Sequence, residues 1–364
     1  MIRVAHVIPT LDRAGSETQL ARIAPALDRT RFETAIYCLR REGPLAEPIR
    51  GTGIPLHLIG QRHKISWRAL FRLRRELSIF DPHVLHTWLF TSHFYGRLAG
   101  ICAGVPVLVI GERCVDLWKT PFHWMIDRAL AHRTDAIVAN AGATLDFLRT
   151  KGVTAPVMRV IPNALDPGLA PFPFPSRTTF LDWDFLAAGR LHEQKDYPTL
   201  LAAFAEVRKA RPGATLAIAG EGPERTRLES LAARLGLSGS VTFLGLRADV
   251  PKLMAWTRCF VMSSIYEGSS NSLLEALAAG VPVVTTGAGG SAELVPDGCG
   301  IIVPVKDPRK LAEGMLWTMD HPEEARSRAA RASGIVRERH ALASVVRQHE
   351  ALYTELLAAK GIPA

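Results

Sequence analysis

Two doubly wound parallel α/β units, joined by a linker and facing each other across a cleft, are what this 364-residue sequence predicts. Three observations carry the prediction. β-Branched runs alternate with helical stretches through both halves, the pattern of a parallel sheet covered on both faces. A proline-rich stretch without periodicity separates the halves: Pro162 and Pro167 lead into Pro171, Pro173 and Pro175. The length is too great for one ordinary domain and comfortable for two.

The elements follow in order. In the first half, strands are predicted at Val4 to Ile8, Glu33 to Leu39, Pro55 to Ile59, Val84 to Trp88, Val107 to Ile110 and Ala136 to Ala139. Glu17 to Leu27 and Trp67 to Phe80 carry helical spacing. Ser16 is the expected N-cap of the first helix, with Glu17 as its first-turn charge. The second half repeats the alternation. Its strands are predicted at Phe185 to Ala188, Thr215 to Ala219, Val241 to Leu244, Cys259 to Met262, Val283 to Thr286 and Ile301 to Val303. Helices between them include Pro198 to Lys209, Arg225 to Leu235 and Asn271 to Ala279, and charged helical segments run from Pro308 to Ala359. The expected division is a first domain over 1–168, a linker over 169–182 and a second domain over 183–341.

Bulk properties narrow the classes. A hydrophobic content of 48% excludes a disordered chain. Five cysteines without a C-x-x-C pair or a His cluster fit a reduced, cytoplasmic compartment, with the thiols as small core residues. Neither a signal peptide nor an 18-residue apolar run is visible. Residues 1–168 hold 22 Lys/Arg against 14 Asp/Glu, a balance of +8, whereas 169–364 hold 22 against 21. The basic excess of the first half fits an anionic membrane surface. Arg62, Lys64, Arg68, Arg72, Arg74 and Arg75 surround Trp67 and Phe71 in and just before the predicted helix Trp67 to Phe80, with Leu70, Leu73 and Leu77 on another face. A nucleic-acid groove would need more stacking aromatics than Trp67 and Phe71 supply, so no nucleic-acid partner is expected.

The chemistry concentrates in Glu267-Gly268-Ser269-Ser270-Asn271-Ser272-Leu273-Leu274-Glu275. Ser and Asn favour N-caps, so a helix begins near Ser270 or Asn271, and its amides and positive dipole end form an anion site. Glu267 stands just before that site and Glu275 about one turn into the helix. A phosphate at the helix start with a carboxylate on either side suits a sugar nucleotide. One acid binds sugar hydroxyls and the other ribose hydroxyls. Upstream, Gly189-Arg190-Leu191-His192-Glu193-Gln194-Lys195 follows a strand and offers an Arg fork and a Lys point charge for a diphosphate.

The pair of carboxylates resembles the E-x7-E signature of retaining glycosyltransferases of the GT-B fold, family 4, and the upstream segment resembles that family's G-R-L-x-x-x-K. Ile161-Pro162-Asn163-Ala164-Leu165-Asp166 is similar to its I-P-N-G-[VI]-D, with Ala164 in place of Gly. Phe243-Leu244-Gly245 matches its F-L-G, and Ala14-Gly15-Ser16-Glu17 resembles G-G-x-E with one glycine lost. The resemblance covers nearly the whole chain. It implies a last helix, about 342–364, that returns to the first domain. It implies transfer of a sugar from a nucleoside diphosphate sugar, UDP favoured over GDP, to a saccharide or lipid-linked acceptor in polysaccharide biosynthesis, with retention and without a metal. Glu267, Arg190 and Lys195 take the catalytic roles. Gly15, Gly189, Arg247, Gly268, Ser269, Ser270, Asn271 and Glu275 join them in donor binding. Many family members carry a His after the strand equivalent to Val107 to Ile110. Here the place reads Gly111-Glu112-Arg113-Cys114, so Glu112, Arg113 and the nearby His86 are the acceptor candidates. Asp182-Trp183-Asp184 is structural. Two rival classes remain open: a GT-B sugar-nucleotide epimerase, and a non-catalytic protein that binds a glycan or a nucleotide.

Overall fold

The computed structural model describes residues 1–63, 65–169 and 183–363. They form two compact units, Met1–Ala164 with His340–Ala364, and Leu165–Arg339.

Unit 1 runs β1 (Ile2–Thr10), α1 (Gly15–Ile23), β2 (Phe32–Arg41), α2 (Ala46–Gly51), β3 (Leu56–Leu58), α3 (Trp67–Phe80), β4 (Val84–Trp88), α4 (Phe90–Ala103), β5 (Val107–Glu112), α5 (Pro121–Ala131), β6 (Ala136–Ala139), α6 (Gly142–Thr150) and β7 (Val157–Val160). The strands make one parallel sheet in the order β3-β2-β1-β4-β5-β6-β7. Burial on both faces explains the unbroken apolar runs that predicted these strands. Val4, Ile8, Val84, Val107 and Val109 point to one core, whereas Ala5, Val7, Leu85 and Leu108 point to another. The edge strand β7 adds to the six predicted. It is only four residues long, contains Arg159 and is nowhere fully buried, so it carries no apolar run to read.

Unit 2 runs β8 (Trp183–Ala188), α7 (Tyr197–Ala210), β9 (Leu216–Ala219), α8 (Arg225–Arg234), β10 (Val241–Gly245), α9 (Val250–Ala255), β11 (Thr257–Met262), α10 (Asn271–Ala279), β12 (Val283–Thr286), α11 (Gly290–Leu294), β13 (Ile301–Val303), α12 (Pro308–Asp320) and α13 (Pro322–Arg339). Its parallel sheet has the order β10-β9-β8-β11-β12-β13. Asp184 is structural, as expected: its carboxylate accepts from the Thr215 amide at 3.0 Å.

The final helix, α14 (Leu342–Ala359), returns to unit 1 and buries Val345, Leu352, Tyr353 and Leu357 in its core. Glu350 accepts from the Asp28 amide at 2.8 Å, and Lys360 pairs with Asp135 at 2.7 Å.

Three expectations need correction. The first unit ends at Ala164 and not at 168, because Leu165 and Leu169 are buried in the core of unit 2 and Arg337 donates to the Leu169 carbonyl at 2.8 Å. The return to unit 1 begins at His340, two residues before the helix itself, where His340 Nδ1 bonds the Asn163 carbonyl at 2.8 Å. Ser16 does not cap α1. The N-cap is Ala14, and Ser16 is buried inside the first turn beside Glu17, which accepts from Thr10 Oγ1 at 3.3 Å. The rest of the expected linker, 170–182, and Lys64 lie outside the described residues.

Candidate active site

The order of the second sheet reverses between β8 and β11, which pair in its middle. In open parallel sheets ligands bind beyond the carboxyl ends of the strands at such a reversal. Both predicted segments leave the sheet there. Gly189 follows β8, and its carbonyl accepts from the Tyr197 hydroxyl at 3.0 Å. A short 3₁₀ turn at Glu193–Lys195 then brings Lys195 back. From β11 the chain passes through Ser263 and Ser264 to Glu267.

The two loops are stitched together. Ser263 Oγ donates to the Lys195 carbonyl at 2.7 Å, the Ile265 amide to the Gln194 carbonyl at 2.9 Å, and Gln194 Nε2 to the Tyr266 carbonyl at 2.9 Å. Within that frame Lys195 Nζ meets Glu267 Oε1 at 2.5 Å, and Ser264 Oγ donates to the same oxygen at 2.9 Å. Glu267 is buried and the Lys195 side chain nearly so. A charge-assisted bond held in low dielectric is stronger than its surface equivalent, and it fixes both heads in place.

Glu267 leads straight into Gly268, Ser269, Ser270 and the start of α10 at Asn271, as the Gly-Ser-Ser-Asn turn predicted. Ser270 is the N-cap residue, yet its side chain takes up no first-turn amide and bonds Ser272 Oγ at 3.1 Å. The helix dipole therefore ends at a turn of small residues beside the Lys195–Glu267 pair, a place suited to an anion. Glu275 is the fifth residue of α10 and half-buried. Arg190 is exposed directly after Gly189.

Two further donor candidates, Arg247 and Gly15, lie on other elements. Arg247 follows the edge strand β10, two strands from β8, and its guanidinium grips Asp249 through bonds of 2.8 and 2.7 Å. Gly15 opens α1 in unit 1. Ser264, Gln194 and Tyr197 support the site without having been singled out. Gly220 also belongs here. A Cβ on it would stand 1.9 Å from the Gly189 carbonyl oxygen, and its φ is +153°, so only glycine lets the loop after β9 pass the loop after β8. The Gly220-Glu221-Gly222 run directly after a strand is the signal that marks it.

In unit 1 the acceptor candidates are turned inward. His86 is fully buried in β4. It stacks on Trp88 at 4.8 Å and bonds the Tyr353 hydroxyl of α14 at 2.7 Å, so its Nδ1 is taken up within the core of unit 1. Burial holds its imidazole well below the ordinary range. Glu112, at the end of β5, is likewise buried: Lys119 approaches it at 3.4 Å and His93 at 3.7 Å. Burial alone would raise its carboxyl, but Lys119, with His93 and Arg97, outweighs that and holds it well below the usual carboxylate range. Arg113 is buried over the Trp88 ring at 4.4 Å and donates to Asn163 Oδ1 at 3.1 Å.

Two doubly wound units, with an acid–base pair at the sheet reversal of the second, define the class as a GT-B glycosyltransferase. Residues 13–169 match the family described as Glycosyltransferase Family 4, and residues 183–321 that described as Glycosyl transferases group 1. An uncharacterized glycosyltransferase of Methanocaldococcus jannaschii is 38% identical over 330 residues, 80% of this chain and 82% of its own length. An exopolysaccharide phosphotransferase of Streptomyces coelicolor is 30% identical over 90% of this chain, which spans only 36% of that relative's length. The structure of Anabaena HepE in complex with UDP and glucose superposes with a TM-score of 0.85 at 22% identity, over 97% of this chain and 100% of that one. The chain belongs to glycosyltransferase family 4.

Proposed function

We propose that this glycosyltransferase moves a sugar from a UDP-sugar to a hydroxyl of a saccharide or lipid-linked acceptor in polysaccharide assembly, with retention of configuration and without a metal ion. The Lys195–Glu267 pair beside the start of α10 is the observation that carries the proposal. UDP is favoured over GDP because HepE binds UDP and glucose. Polysaccharide assembly follows from the exopolysaccharide relative.

The donor diphosphate lies at the start of α10, against the backbone of Gly268 to Asn271. Arg190 and Lys195 neutralise it. Glu275 binds the ribose, and Glu267, steadied by Ser264, binds hydroxyls of the donor sugar. The bond from the anomeric carbon to the phosphate oxygen breaks, and a bond to the acceptor oxygen forms on the same face. The acceptor proton passes to the departing phosphate. Negative charge grows on that phosphate in the transition state, where fixed cations and helix amides are most effective.

Ligands that bind only the folded state raise the melting temperature. UDP is expected to raise it by several degrees, GDP less, with no change on adding EDTA, and the rise should vanish in Glu275→Ala. A shift that EDTA abolishes would refute metal independence. No shift with any nucleoside diphosphate would refute the transferase proposal.

Peripheral attachment to the inner face of a membrane fits the surface of unit 1. Among the described residues no helix is long and apolar enough to cross a membrane. Leu73 and Leu77 of α3 are buried as predicted, but Trp67 and Phe71 are more than half exposed among Arg68, Arg72 and Arg75. Leu117, Trp118, Phe122 and Met125, in and before α5, are also more than half exposed. Exposed aromatics among arginines suit an anionic lipid interface. Each arginine near such a surface contributes about 1 kcal/mol. Replacing Arg68, Arg72 and Arg75 with Gln should therefore weaken sedimentation with phosphatidylglycerol vesicles about 100-fold. Equal binding of variant and wild type would exclude α3 as the contact.

A further inference from the structure

We propose that unit 1 contains an internal anion site formed by Arg113, His6, His86 and His349. These side chains come from four places in the unit: the loop after β5, β1, β4 and α14. The His6 and His86 rings lie 5.6 Å apart, as do those of His86 and His349, and Arg113 covers Trp88 beside them. All three histidines are fully buried and Arg113 is 7% exposed.

The chemistry of the group is one-sided. Trp88 Nε1 donates to His6 Nδ1 at 3.2 Å, so the neutral His6 ring carries its proton on Nε2, which has no protein partner. Arg113 spends Nη1 on Asn163 and leaves Nε and Nη2 without one. His349 has no protein partner at either ring nitrogen, one of which bears a proton. His86 bonds Tyr353 through Nδ1 and leaves Nε2. At least four N–H donors are thus presented with one fixed positive charge. Among the described residues no carboxylate bonds any of the four side chains. Glu350, on the same helix as His349, accepts from the Asp28 amide instead.

Burial lowers Arg113 to about 10, which still leaves it charged at neutral pH. A buried cation without a counter-charge is strongly destabilising, and water satisfies donors without neutralising it. A compact anion does both: a halide, inorganic phosphate or carboxylate, or a phosphate group carried by a substrate. The site is built by unit 1 alone, so it stands or falls separately from the proposed transfer.

Crystals grown in sodium bromide test it. The expected result is an anomalous peak within hydrogen-bonding distance of Arg113 Nε and Nη2. The peak should persist when UDP-sugar is added, because the donor diphosphate is placed at α10 in unit 2; its displacement by UDP-sugar would overturn a site separate from the donor's. Inorganic phosphate should raise the melting temperature of the wild type, and this rise should be absent from Arg113→Met. Should that variant not fold, His349→Phe takes its place. Water density with no anomalous signal would overturn the proposal, and so would an equal phosphate response in wild type and variant.

Discussion

Lys195→Ala lowers kcat for sugar transfer by about 10²–10³, the scale found when one preorganised donor to a developing negative charge is removed, or about 3–4 kcal/mol. The expectation follows from where the ammonium is held. It lies at the reversal of the second sheet, bonded to Glu267 and locked between two loops that bond each other along their length. Removing it takes away a cation for the leaving diphosphate and also leaves a buried carboxylate without its partner. Glu267→Gln separates the two effects. It keeps a hydrogen-bond acceptor for Lys195 but removes the negative charge facing the donor sugar, so kcat should fall by a similar factor while UDP binding, read by melting temperature, stays intact. In Lys195→Ala, UDP binding should weaken as well. The double variant should lose less than the product of the two single losses, because the residues act as a unit. A Glu267→Gln enzyme within threefold of wild-type kcat would remove Glu267 from the reaction.

How much of this site the sequence displays depends on the range of the interaction. The start of α10 is legible because Gly268, Ser269, Ser270 and Asn271 are local turn and cap residues, and their effect is exerted within one helical turn. The strands of both sheets are legible because burial on two faces demands continuous apolar runs. The bond between Lys195 and Glu267 is not legible locally. It exists because β8 pairs with β9 on one side and with β11, three strands later in the chain, on the other. Only the spacing shared with a known family places the two residues in one site. His86 misled for the same reason. A histidine near a strand end looks available until the last helix, more than 250 residues on in the sequence, lays Tyr353 and His349 against it.

The buried charges of unit 1 lie beyond sequence altogether, and they predict the largest loss of stability. Arg97 Nη2 meets Asp127 Oδ1 at 2.6 Å, with both side chains 1% exposed. Lys119 Nζ meets Asp127 Oδ2 at 3.1 Å, Asp116 at 3.3 Å and Glu112 at 3.4 Å, and its ammonium lies over the rings of Phe90 and Trp124. Such a network adds little net stability compared with apolar packing, but breaking one partner leaves an uncompensated buried charge. Asp127→Ala is therefore expected to cost about 3–5 kcal/mol, because Arg97 then has no acid bonded to it. For a unit of this size that is a melting temperature lower by about 6–20 °C. Replacing the pair together, Arg97→Met with Asp127→Leu, should recover most of the loss, since no charge is stranded. Acid should act on the same network. The Glu112 carboxyl is lower in the folded unit than in the unfolded chain. Its contribution is therefore present above the ordinary carboxylate range and lost as pH falls through the folded value, with a decline that begins below about pH 4.3. Urea unfolding followed by circular dichroism measures all three. A cost below about 1 kcal/mol for Asp127→Ala would mean that water reaches Arg97 and that the network does not hold unit 1 together.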